Sequence, residues 1–450
     1  MQRGNTMRCD FSMGNTGMKF IAGALLLCLA SAASAGTLVG GGATLPAIGY
    51  TGSASGLITP GAGSLFGVYV ANHSGSSVTY CTTGSGAGKK ILAGNVAGAT
   101  VNDACPSGFG GSGLTQPHFA GSDAPMSTTE YNAYLAGHGA TAQPTQLPSI
   151  AGAIGIVFKK SGVNAMTLTE DQICGVFSGQ IKTWNDLRLA GVAGIPTGTT
   201  GNISIAYRSD GSGTSFSFLN HLSAVCPTVL THPATAFQTL QAYASGASSY
   251  FPVMPDANGH YAAAFGGNGN AGVINIVAGL DTTVPVPDGF IGYAEVANGV
   301  TGGVRTATVT NLAGNNVNPV TGFGPTAVPV TLTFDKVIAD LPDSAGRPVL
   351  SNLPGNATSN GCVAVVDPSS YAVRGTAAGS TDYPIIAITN LLSNHQGTPS
   401  ADLANTRGLL ASPYDTAIRS SVTKIGRAGT GYAWLSSSDL TAARVNTCVN

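Results

Sequence analysis

The sequence predicts an α/β fold arranged as two lobes, and three observations carry that expectation. The chain has 450 residues, more than a single hydrophobic core normally organises. Strand-like and helix-like segments alternate along most of it, the order expected of α/β architecture. Residues 150–158 form a continuous apolar run, which marks a strand buried on both faces. Composition agrees: 43% of residues are hydrophobic, only 9% are charged, and 63 are glycine. Such a chain buries a sizeable core, and its glycines imply tight turns and close backbone approaches.

The N-terminus reads as an export signal. Lys19 precedes the apolar run 20–33, which ends at Ala33-Ser34-Ala35, a small-x-small cleavage pattern ahead of Gly36. Residues 1–35 are expected to be removed. Met18 is the more conventional start, and 1–17 reads as an over-extended one. Removal takes three of the 19 basic and one of the 20 acidic residues, leaving 16 against 19. That balance supplies no basic face for nucleic acid. The apolar run is too short to span a bilayer comfortably, so a soluble periplasmic or secreted product is expected. Six cysteines remain: Cys81, Cys105, Cys174, Cys226, Cys362 and Cys448. An even number in an exported chain points to disulfides, although six cysteines allow 15 pairings. Proximity in sequence favours Cys81–Cys105 and Cys174–Cys226, which leaves Cys362–Cys448. No C-x-x-C or clustered Cys/His spacing suggests a metal site instead.

Taken in order, a short strand at 37–39 runs into Gly40-Gly41-Gly42, and a second strand spans 76–81. A glycine-rich turn then leads into a short helix through Ile91 and Leu92. A strand ends near Gly121, and Ser127-x-x-Glu130 forms a capping box for a helix to about Ala136. Thr169-x-x-Gln172 is a second capping box, with Ile173, Val176 and Phe177 on one helical face before Ser178-Gly179. A strand at 203–207 breaks at Arg208-Ser209-Asp210-Gly211. The helix that follows from Ser212 carries Phe218, Leu219, Leu222 and Val225 at helical spacing. Val273, Ile276 and Val277 predict one more helix, and 290–293 one more buried strand. From about 298 to 380 the chain turns rich in Thr, Val, Asn, Gly and Pro. It reads as an irregular, β-leaning elaboration of one lobe.

Three strand–loop–helix junctions share a plan: Gly42-Ala43-Thr44-Leu45-Pro46, Gly84-Ser85-Gly86-Ala87-Gly88 and Gly211-Ser212-Gly213-Thr214-Ser215. A helix start offers unpaired N–H groups and a partial positive charge, glycine lets the backbone come close, and Ser or Thr adds a hydroxyl. Pro46 suits a first helical turn, where its missing N–H costs nothing. The third junction is strengthened by Arg208, whose guanidinium can fork two hydrogen bonds onto an oxyanion, and by Asp210, placed to brace it. Asp123 also sits at a strand end. The run from Gly84 to Lys90 is one residue short of a nucleotide P-loop and has Lys90 where that loop needs Ser or Thr. No G-x-S-x-G nucleophile elbow occurs.

These stretches resemble the phosphate-binding proteins of bacterial high-affinity phosphate ABC transporters, including their DING relatives. The matching segments are GGGATLP (40–46), TGSGAG (83–88), GSDAPMS (121–127), LTEDQICGVFSGQIKTWNDL (168–187), RSDGSGTSF (208–216), GGNGNAGV (266–273), FIGYAEV (290–296) and YPIIAIT (383–389). They occur in the family's order across nearly the whole mature chain. The resemblance implies a type II periplasmic-binding-protein fold with a hinge and an interlobe cleft. Lobe 1 would be 36–152 plus 383–450, and lobe 2 would be 153–382. It implies inorganic phosphate as ligand, held without a cofactor by Thr44, the Leu45 N–H, Ser85 and Asp123 of lobe 1 and by Arg208, Ser212, Gly213 and Thr214 of lobe 2. Asp210 would brace the arginine. The implied partner is the membrane permease of an ABC phosphate transporter, with the binding protein itself a monomer.

Three departures qualify the resemblance. Residues 50–64 are glycine-rich where the family continues a helix, so that helix is expected to be short or displaced. Thr37-Leu38-Val39 stands where a DING protein carries Asp-Ile-Asn. Residues 298–380 run longer than in simple members. Two other functions compete with transport: a secreted DING-like phosphatase, for which no activated nucleophile is readable, and a phosphate-scavenging or adhesion protein that keeps the fold.

Overall fold

The computed structural model describes residues 37–95, 105, 109, 117–226, 237–241, 261–285, 288–398 and 400–450. The leader expected at 1–35, with its cleavage site and cysteines, lies outside them. The glycine-rich opening is strand β1 (Thr37–Gly42), which continues through all three glycines instead of ending at Val39. The reason is contact: a side chain at Gly41 would strike the Cys81 carbonyl, and one at Gly42 the Gly121 carbonyl. After Thr44 the helix α1 (Ala47–Thr51) is short, closed by Gly52 at φ 88°. Glycine takes that left-handed turn without strain, and the expected truncation of this helix is what the chain shows.

Strands β2 (Leu57–Ile58), β3 (Ser77–Cys81) and β4 (Phe119–Ser122) complete the first edge of the main sheet, where β1 runs parallel to β3 and β4. Helices α2 (Leu65–Asn72), α3 (Ser85–Leu92) and α4 (Thr128–His138) flank it. The Ser127/Glu130 capping box is formed in full. Strand β5 (Pro144–Lys159) is longer than the apolar run alone predicts, and all but its last residue are buried. The apolar pattern hides its first part because Pro144, Gln146 and Pro148 interrupt it. They are tolerated because the partner strand Ile386–Asn394 shifts register between Thr389 and Asn390, opposite Pro148.

Strand β5 changes partners along its length. Residues 144–153 pair with Ile386–Asn394, whereas 154–159 pair with β9 (Phe290–Glu295). Beyond β6 (Thr167–Thr169) and α5 (Glu170–Phe177), whose Thr169/Gln172 box is also formed, lie β7 (Ser204–Arg208) and β8 (Ala263–Gly267). The path across the sheet is β2, β3, β1, β4, Ile386–Asn394, β5, β9, β7, β8. Parallel strands β7 and β8 feed helices α6 (Gly213–Val225) and α7 (Gly269–Ala278). Each part of the sheet thus delivers parallel strand ends into helix starts, the place where α/β sheets bind ligands. Each also has its own aromatic cluster: Tyr50, Phe66, Tyr80 and Phe119 in one, Phe177, Phe218 and Tyr293 in the other.

The 298–380 stretch is β-leaning, as its composition suggests, and its short strands reach widely. Thr308–Thr310 joins β6, Val328–Pro329 pairs with Tyr432–Ser436, and Ile338 bridges to Ser127. The six cysteines pair as Cys81–Cys105, Cys174–Cys226 and Cys362–Cys448. The last bridge ties this stretch to the C-terminal helix Ala442–Cys448 across 86 positions of sequence. Replacing Cys362 and Cys448 together by alanine should therefore lower the unfolding free energy by roughly 2–5 kcal/mol. Guanidinium denaturation of the double variant checks this, and an unchanged midpoint would show the bridge to be dispensable.

Candidate functional site

Strand β7 delivers Arg208 as its last residue, and the side chain is buried there, 1% exposed. A buried guanidinium needs acceptors. Asp210 supplies both oxygens, accepting from Nε at 2.6 Å and from Nη2 at 2.5 Å. Burial works against the arginine's charge, but Asp210 more than offsets it, so the pKa lies above its usual value. Asp210 does a second job, accepting the Gly269 N–H at the start of α7 at 3.0 Å. The remaining arm of Arg208 points into the site, where Nη1 donates to Thr214 Oγ1 at 3.2 Å.

Helix α6 opens one residue earlier. Ser212 caps it by accepting from the Ser215 N–H at 3.1 Å. Gly213 lies flat against Asp123: an added Cβ would sit 2.6 Å from Asp123 Cβ. Only glycine allows that approach, and it brings the positive end of α6 onto the carboxylate.

Asp123 follows β4. Its Oδ1 accepts from the Thr389 hydroxyl at 2.7 Å, and its N–H donates to Ser85 Oγ at 3.1 Å. Burial pushes its carboxyl up to about 7, against the lowering pull of Thr389, Arg208, Ser85 and Lys89. Ser85 begins α3 just after Gly84, whose φ of 89° turns the chain into the helix. Thr44 Oγ1 accepts from both the backbone N–H and the side-chain amide of Asn270, at 3.2 and 3.1 Å. Leu45 buries its side chain completely, and its carbonyl accepts from Tyr432 at 2.6 Å.

The sequence-predicted residues therefore converge. Thr44, Asn270, Thr214, Arg208 and Asp210 form one hydrogen-bonded chain, while Ser85 and Asp123 form a second that Gly213 touches. The loops also meet directly, with Gly86 N–H donating to the Gly211 carbonyl at 2.9 Å. Three contributors were not singled out from sequence: Asn270, Thr389 and Tyr293. Tyr293 accepts the Arg208 N–H at 3.2 Å and pairs with Ser215 at 2.6 Å. All three lie inside the family-like segments quoted above, but their residue types alone gave no chemical signal. Chemically the arrangement gathers hydroxyls, a guanidinium and helix starts with two carboxylates, Asp210 paired with Arg208 and Asp123 bonded by Thr389, a setting for a small protonated oxyanion.

The sequence profile of the PBP superfamily domain matches residues 30–333. Over 376 residues the chain is 30% identical to alkaline phosphatase L of Pseudomonas aeruginosa, covering 81% of this chain and 77% of that protein. With the same protein from another strain the match is 33% over 211 residues and spans about half (48%) of that relative's length. It is 30% identical over 320 residues to a phosphate-binding protein from an unknown prokaryotic organism, covering 68% of this chain and 74% of that one. The solved structure of a high affinity periplasmic phosphate-binding protein (PfluDING) bound with phosphate superposes with a TM-score of 0.55 at 24% identity, covering 92% of each chain.

A buried carboxyl with a raised pKa has a measurable signature. Between about pH 4 and 7 the folded protein holds the Asp123 proton that the unfolded chain has lost, so stability falls as pH rises through that window. Glu295, pushed up to about 8 by burial despite bonds from Ala297 and Asn298, extends the decline. In ligand-free Asp123→Asn the decline should be shallower by roughly 1–4 kcal/mol, at about 1.4 kcal/mol per pKa unit. Urea denaturation across pH measures it. Identical slopes in the two proteins would remove Asp123 as a buried titrating group.

Proposed function

The chain belongs to the PBP superfamily, and from that premise we propose that it binds one inorganic phosphate ion between its two lobes and releases it unchanged. The observation that carries the reading is one buried carboxylate, Asp123, set against Ser85 and the start of α6, with the Arg208 guanidinium near enough to pull its pKa down. Donors alone suit any tetrahedral oxyanion. A carboxylate accepts a hydrogen bond only from a ligand that still carries a proton. Phosphate does so near neutral pH and sulfate does not. Arg208 is already balanced by Asp210, so the ion is held by oriented dipoles and hydroxyls and not by excess positive charge.

In this reading Thr44, the Leu45 N–H, Ser85 and Asp123 contact the ion from one lobe, and Arg208, Ser212, Gly213 and Thr214 from the other. The lobes are 36–152 with 383–450, and 153–382. The change of partner along β5 after residue 153 supports that division. Three disulfides suit an oxidising compartment outside the cytoplasm. Delivery to the permease of an ABC transporter is the role that fits a reversible, non-chemical grip. The names of relatives support the ligand: one is a phosphate-binding protein, and the superposed structure holds phosphate.

A second reading, hydrolysis of phosphate esters, is favoured by the relatives called alkaline phosphatase L. It requires a nucleophile activated by a base, and Ser85, set against the Asp123 carboxyl, is the hydroxyl such chemistry would draw on.

Calorimetric titration of the phosphate-free protein with phosphate should give one site. Arg208→Ala should weaken binding by roughly 2–5 kcal/mol, the range for truncating one partner of a buried charge pair. Arg208→Lys should also bind poorly, because a point charge cannot replace the fork. Near wild-type affinity in the alanine variant would remove Arg208 from the site. A colorimetric assay with a phosphate ester separates the two readings: the binding reading predicts no turnover, and sustained hydrolysis that Ser85→Ala abolishes would establish the other.

A further inference from the structure

A buried lysine stands one turn beyond Ser85. Lys89 is 1% exposed at its side chain, and burial opposes its charge, so it requires acceptors. It has three. Its Nζ donates to the carbonyls of Ala124 and Pro125, at 3.3 and 3.2 Å, and pairs with Glu130 at 2.6 Å. The two carbonyls belong to the residues immediately after Asp123, so the lysine clamps the turn that aims this carboxylate. Glu130 then reaches across. Its second oxygen accepts from the Gln241 amide at 3.1 Å, and the Gln241 carbonyl accepts from the N–H of Ser212, the α6 cap, at 2.8 Å. Gly86 makes room for this crossing, since a Cβ there would sit 2.9 Å from the Gln241 amide nitrogen.

We propose that Lys89 is a positioning residue for Asp123, and that Lys89, Glu130 and Gln241 form a strut completed only when the Asp123 turn and the α6 cap come together. The inference rests on the phosphate reading. The strut couples closure to selectivity: the same contacts that join the two sides fix the carboxylate that reads the ligand's proton. Asp123 is also faced by Arg208 from β7, Tyr50 from α1, Tyr80 from β3, Tyr371 from the helix Pro368–Ala372 and Tyr432 from the C-terminal strand. Among these, Lys89 and Arg208 are the cations, and Arg208 is paired with Asp210. Removing Lys89 therefore leaves Asp123 holding its proton to higher pH. A protonated Asp123 is a donor, and a donor accepts sulfate.

The test uses Lys89→Met combined with Glu130→Gln, so that no carboxylate is left without its partner, and Gln241→Ala separately. Phosphate and sulfate affinities are measured calorimetrically across pH. In the double variant the pH above which sulfate affinity falls off should move upward, a readout that loss of packing alone leaves in place. In Gln241→Ala that pH should stay unchanged, while phosphate affinity drops about fivefold through faster release. An unmoved sulfate profile in the double variant overturns the proposal. If that variant does not fold, wild-type phosphate affinity in Gln241→Ala overturns it alone. Wild-type protein that takes no phosphate defeats the underlying reading instead, so the two failures are distinguishable.

Discussion

The pairing of Arg208 with Asp210 is the interaction on which the site depends. A guanidinium at the end of a buried strand pays a desolvation cost that only a matched carboxylate offsets. Asp210 does this with both oxygens and still accepts the first N–H of α7. One residue thus fixes the arginine, the loop after β7 and the start of the neighbouring helix. What remains of the arginine's hydrogen-bonding capacity faces Thr214.

Around that pair the backbone is packed to contact. Gly213 lies against Asp123 closer than any side chain would allow, and Gly86 and Gly211 meet at a spacing that a Cβ would crowd. The abundance of glycine is therefore a requirement of the site as much as of the turns. Helix starts act on an anion only at short range, and removing the Cβ is how this chain brings them there. Buried in the same region, Asp123 keeps an affinity for protons near neutrality. Burial raises its hold on a proton, so its negative charge is not fixed.

Much of this was legible in the sequence. The junctions at Thr44, Ser85 and Ser212 declare themselves because a small residue and a hydroxyl sit where a helix begins. Both capping boxes formed as read, and the disulfides paired as read, two by proximity in sequence and the third as the remaining pair. Other features were hidden for physical reasons. The full length of β5 was masked by prolines that a register shift accommodates. Asn270 and Thr389 carry ordinary polar side chains whose roles arise only when distant segments meet. Lys89 gave no signal in the sequence, because nothing local shows that its acceptors are carbonyls from the Asp123 turn.

Selectivity of this kind requires Asp123 to sense a proton. The most direct measurement is sulfate binding by the wild-type protein near pH 5 and near pH 8, with phosphate as reference. With the carboxyl titrating at about 7, a protonated Asp123 donates to sulfate at the lower pH, and a charged one repels it at the higher. Sulfate should compete measurably near pH 5 and lose at least tenfold in affinity by pH 8, while phosphate binds at both. Sulfate affinity that is equal at the two values, or equal to that of phosphate near pH 8, would contradict the role assigned to this carboxylate.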